Sequence, residues 1–242
     1  MKQLNKKIIC LVIFAIAMGF LESAVVIYLR LLYYPKGFSF PLEIIPAQVG
    51  LVEILREAST VIMLVGVGYL SGKNALQRFS YFILAFAVWD LFYYVFLYLF
   101  LGWPESLFTW DILFLIPVPW VGPVIAPCLL CLVMIAGAVV VIRRSESEKG
   151  IKVPRYYWWL SILGALVCIL SFTWDYMMYK PSEAISSDLP FADLRGYIPQ
   201  SFQWSIFICG FLLLSFPLLH LLIKNKKENN SPSNKIHNNG TR

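Results

Sequence analysis

The sequence predicts an all-α, polytopic membrane protein with six transmembrane helices, and three observations carry that prediction. Of its 242 residues, 59% are hydrophobic and only 14% are charged, against roughly 25% charged in a soluble globular domain. Runs long enough to span a bilayer, which takes roughly 20 mostly apolar residues, occur at 8–29, 49–70, 79–101, 112–142, 157–179 and 201–223. Lysine and arginine then alternate between the segments that join these runs. The N-terminus, 71–78, 143–156 and the tail together hold 15, whereas the intervening segments hold 4, with Arg56 inside a run. Basic residues accumulate on the cytoplasmic side of short loops, so both termini are predicted to be cytoplasmic, in a cell-membrane protein. The net charge of +6 is then an orientation signal, and no nucleic-acid partner is implied.

The first run follows Lys2, Lys6 and Lys7 and begins as a signal peptide does. Its 22 residues exceed the roughly 7–15 residue apolar core of a signal, and no A-x-A cleavage site follows. It is predicted to remain as a helix. The next two runs are ordinary in length. The fourth, 112–142, is too long for one straight helix and holds Pro117, Pro119, Pro123 and Pro127 in its first half. Because proline removes a backbone donor and ends or kinks a helix, a half-helix or irregular piece is expected over 111–119, followed by a spanning helix over 121–142. Such broken backbone survives at membrane depth only against protein or a polar cavity.

The fifth and sixth runs complete one transmembrane domain over 1–223. The Asn-, Lys- and Ser-rich stretch 224–242 has too few apolar residues to fold and reads as a disordered cytoplasmic tail. Loop 180–200 is long enough to lie over the mouth of the bundle. Loop 31–48 carries Tyr33, Tyr34, Phe38 and Phe40, residue types suited to the interface.

Against this background the charges inside the runs stand out. Glu22, Glu53, Arg56, Glu57, Asp90, Asp111 and Asp175 are candidate ligand-binding or proton-coupling residues. A carboxylate at mid-bilayer costs about 2.5–3.5 kcal/mol on insertion scales, so it normally faces the bundle interior. On the predicted topology all seven lie between the bilayer centre and the outer surface, which points to one acid-rich pocket open to the outside. Helical spacing puts Glu53, Arg56, Glu57 and Thr60 on one face. Trp89, Tyr94 and Gln203 are expected to support the same layer. The plainer alternatives are a structural Arg56–Glu53 lock and Asp111 as the cap of a half-helix.

Three functions fit. The first is binding or transport of a small cationic, amine-bearing or proton-coupled solute. The second is an intramembrane enzyme using a carboxylate pair such as Glu57 and Asp90 on a lipid or isoprenoid. The third is a non-catalytic assembly subunit, for which Ala15-x-x-x-Gly19 supplies a small-residue packing face. No metal or other cofactor is expected, since the two histidines, His220 and His237, lie at the tail end and cannot complete a zinc site. Cys128 and Cys131 are read as small packing residues.

Overall fold

A computed structural model describes residues 2–43, 45–146, 153–179 and 196–229. Six helices follow in order: α1 (Lys2–Tyr33), α2 (Ala47–Ser71), α3 (Ala75–Leu101), α4 (Ile125–Ser145), α5 (Arg155–Met178) and α6 (Trp204–Asn229). Between α3 and α4 lie two short strands, β1 (Trp110–Phe114) and β2 (Trp120–Pro123). Five helices, α1, α3, α4, α5 and the Trp204–Leu222 part of α6, are long and apolar enough to cross a membrane. Helix α2 carries Glu53, Arg56 and Glu57 and is set apart from them by those charges. Large apolar side chains such as Leu32, Leu70 and Trp159 lie on the outer surface, a surface that water would not tolerate over so wide an area. The chain is a helical membrane protein.

Local chemistry sets the helix ends. Asn74 caps α3, its side chain accepting a hydrogen bond from Gln77 N at 3.0 Å, which satisfies one of the free first-turn donors. Gly102 ends the same helix in the left-handed region, φ +65°, with its N–H on Tyr98 O, a conformation that costs glycine nothing.

Helix α3 is the hub on which α1, α2 and α4 pack, while α5 and α6 pack chiefly on each other. The tight approaches use glycine. A Cβ on Gly19 of α1 would lie 2.8 Å from Trp89 O, one on Gly68 of α2 would lie 2.7 Å from Phe82 Cβ, and one on Gly164 of α5 would lie 2.9 Å from Gly210 O. Close backbone approach of this kind replaces the hydrophobic drive that lipid does not provide. The Ala15-x-x-x-Gly19 face is therefore used inside the chain, against α3.

Contacts at the helix ends show that successive helices alternate in direction. At the tail end, Lys7 meets the carbonyl of Ser71, Lys73 pairs with Glu146 at 3.1 Å, Arg144 donates to Leu221 O at 3.0 Å and Tyr157 meets His220. At the other end, called here the hairpin end, Arg30, Trp103, Asp111 and Tyr197 gather.

The segment expected as a half-helix over 111–119 is instead an antiparallel hairpin. Trp110 pairs with Pro123, Asp111 with Gly122, Ile112 with Val121 and Phe114 with Trp120, with an irregularity between Ile112 and Phe114. Its Trp, Ile, Phe and Val residues favour extended backbone, and Pro117 and Pro119 fall in the tip, where no ladder N–H is lost. Phe114 stacks on Phe86 of α3 on one side, and Trp120 stacks on Phe172 of α5 on the other. The hairpin thus wedges between the α1–α4 unit and the α5–α6 pair. Gly122 sits where a Cβ would meet the Phe172 ring at 2.9 Å. Helix α4 starts at Ile125, a little later than the 121 expected. Positions 180–195, the greater part of the anticipated lid, and the tail positions 230–242 lie outside the described residues.

Gly68→Ala is expected to cost about 1–3 kcal/mol by overpacking α2 against α3. Gly66→Ala has nothing within 4 Å of its new methyl and should leave stability unchanged or slightly raised. Thermal unfolding midpoints in detergent check the pair.

Candidate functional site

Helix α2 presents Glu53, Glu57 and Thr60 as buried residues on one face, with Arg56 half-buried beside them. Arg56 lies between two acids. Its Nε and Nη2 donate to Glu53 Oε2 at 2.9 Å, and its Nη1 is ion-paired with Glu22 Oε1 of α1. Thr60 donates to the other Glu22 oxygen at 3.2 Å. One guanidinium thus serves two carboxylates, and the hydroxyl covers a remaining lone pair.

Glu57, one residue beyond Arg56, reaches the hairpin instead. Both of its oxygens accept the N–H of Leu115, at 3.1 and 3.2 Å. A buried amide at the hairpin tip without this acceptor would be unsatisfied, at a cost of about 1–3 kcal/mol.

At the hairpin base, Asp111 accepts from Arg30 of α1 at 3.1 Å, with side-chain exposures of 2% and 8%. The Arg30 guanidinium lies 3.6 Å from the Trp103 ring centre and 4.3 Å from that of Phe38, so aromatic faces take the place of water around the charge. Among the described residues, Arg30 Nη1 and Asp111 Oδ2 are buried without a hydrogen-bond partner. Asp111 therefore anchors a strand to a helix and does not cap a half-helix. Phe38 and Phe40, expected at the lipid interface, form part of this cover, Phe40 against Tyr197.

Asp90 occupies the middle of α3. Its hydrogen-bond donor is Cys131 Sγ of α4, at 3.1 Å. Asp90 itself is half-buried. Glu22 and Asp111 are within electrostatic reach. Tyr94 lies one turn along α3, and the enclosed Tyr93 is within reach of Asp111, Arg30, Glu22 and Arg56. A thiol is a weak donor, so of the central carboxyls Asp90 is the one with least compensation.

Glu22, Glu53, Arg56, Glu57, Asp90 and Asp111 are thus gathered around α3 and the hairpin. Asp175 is elsewhere. It accepts from Tyr197 Oη at 2.8 Å and from the N–H groups of Gln200 and Ser201 at 3.1 Å each, tying the connection before α6 to the end of α5. Burial pushes the Tyr197 phenol well up, and its bond to Asp175 adds to that, so it stays a donor throughout the physiological range. Gln203 bonds Ser201 near the start of α6 and does not enter the central layer. Trp89 packs between Phe86 and Phe114, with Nε1 buried and unpartnered, as a core residue.

Sequence reasoning did not place Arg30 among the candidate residues and read Cys131 as packing. The i, i+3 spacing of Cys128 and Cys131 was the available signal, but the acid it serves lies 41 residues away. The central group holds five carboxyls against the two guanidiniums of Arg30 and Arg56. Among the described residues no three of His, Cys, Asp and Glu are placed to hold a metal ion. Comparison with known protein families, curated proteins and solved structures finds no match to this chain.

Removing one partner of the buried Arg30–Asp111 pair leaves an uncompensated charge, so Arg30→Leu is expected to destabilise by about 3–5 kcal/mol. Arg30→Leu with Asp111→Leu should recover most of that loss. Denaturation of the two variants in detergent, compared in a double-mutant cycle, measures the coupling.

Proposed function

We propose that this is a six-span membrane protein with cytoplasmic termini that binds a small cationic, amine-bearing or proton-coupled solute at Asp90, entering from the hairpin end. The alternating helix directions and the basic loops at 71–78 and 143–156 support that topology, with the hairpin end outward. The observation that carries the function is the state of Asp90. Glu22, Glu53 and Asp111 have guanidinium partners, and Glu57 holds a backbone amide. Asp90 has, among the described residues, only the thiol of Cys131.

An excess of carboxyls in a low-dielectric interior favours entry of positive charge, whether as a proton or as an ammonium group. Tyr93 and Tyr94 beside Asp90 are suited to line a passage for such a cation, through the ring faces as well as the hydroxyls. The hairpin near this group is held by Arg30 and Glu57.

Methylammonium serves as the probe. Proteoliposomes of the wild type are expected to take up radiolabelled methylammonium along an imposed gradient, and Asp90→Asn is expected to reduce uptake to the level of empty liposomes. Cys131→Ala, which removes only the thiol, should retain uptake. Wild-type rates in Asp90→Asn would remove this reading.

A further inference from the structure

Along its hairpin-end half, α3 leaves a groove of about 440 Å³ against the loop after Gly102 and the start of α4. Leu91, Val95 and Leu99 line it at successive i, i+4 positions, with Tyr94 and Cys128 also in its wall, and the exposed Glu105 and Ser106 complete the lining. At a 1.5 Å rise per residue, the run from Leu91 to Leu99 is about 12 Å long. One leaflet of a bilayer whose hydrocarbon core is about 30 Å thick offers roughly 15 Å. Val95, Tyr98, Leu99 and Leu107 are exposed beside the groove, so it opens toward the lipid and not toward another helix of this chain.

The rim has a definite charge. Glu105 is exposed, and among the described residues it has no hydrogen bond or ion pair and no lysine, arginine or histidine lines the groove. Ser106 Oγ accepts the N–H of Phe108 at 3.2 Å, which leaves its own proton free to donate. An acceptor-only carboxylate and a donor hydroxyl side by side complement an ammonium and a phosphate oxygen. An anionic headgroup without an amine would set its charge against Glu105.

We infer that this groove holds a membrane phospholipid with an amine-bearing headgroup, its ammonium on Glu105, its phosphate near Ser106 and one acyl chain laid along Leu99, Val95 and Leu91. The chain passes Tyr94 and Cys128, both within electrostatic reach of Asp90, so the bound lipid lies against the Asp90 group. The inference rests on the groove and its rim and stands apart from what Asp90 binds.

Full-length protein in nanodiscs of equal phosphatidylethanolamine and phosphatidylglycerol, released for native mass spectrometry, tests it. The wild type is expected to retain phosphatidylethanolamine over phosphatidylglycerol by about two- to fivefold, the range of an interfacial ion pair. Glu105→Gln should abolish the preference while leaving total retained lipid unchanged. Val95→Trp, which fills the groove from its lipid-facing side, should lower retention of both lipids. Equal retention by the wild type, an undiminished preference in Glu105→Gln, or wild-type retention in Val95→Trp would each overturn the assignment. The methylammonium assay reads none of these, so the two proposals fail separately.

Discussion

The structure depends on the Arg30–Asp111 pair, because it fixes a β-hairpin within a helical bundle. Non-helical backbone exposes polar groups that hydrocarbon cannot solvate, and it survives only where protein meets them. The ladder between β1 and β2 satisfies part of that need. Asp111 fixes the base of the hairpin to α1, and Glu57 takes the amide at its tip. Trp103 and Phe38 cover the cation from outside, so the pair operates in a dry setting where its attraction is strong and its loss costly.

From that wedge the rest of the arrangement follows. The α1–α4 unit is built on α3, whose glycine-mediated contacts with α1 and α2 leave no room between them. The α5–α6 pair is joined to it through the aromatic face of the hairpin, Trp120 on Phe172 and Trp110 on Phe202. Charges that one would count as a single acidic pocket divide into tasks. Arg56 locks α1 to α2, Arg30 and Glu57 hold the hairpin, Asp175 holds the connection into α6, and Asp90 is left with the thiol of Cys131.

The tetrapeptide FTWD occurs twice, at Phe108–Asp111 and Phe172–Asp175, and shows how much of this was legible in the residues. Each places a carboxylate after a tryptophan among apolar neighbours, and the residues alone set both at similar depth. Asp111 found a guanidinium 81 positions away and Asp175 found amides 25 and 26 positions on. Nothing within a helical turn of either distinguishes them. The Glu53–Arg56 contact, by contrast, was readable because it is set by i, i+3 geometry. The four prolines announced a break before α4, but whether the broken piece is a half-helix or a hairpin depends on a second strand that pairs with it. Trp110 meeting Pro123 is a tertiary event even over so short a span.

The sequence by itself determined the solvent of this protein, its six helices, the interruption before the fourth and the acidic face of α2, because hydropathy, length and helical period are local quantities. Only the tertiary structure decided which carboxyl each cation serves and which one is left with a thiol. A charge buried in a bilayer must find its partner through space, and the partner that lowers its energy is chosen by packing and not by distance along the chain.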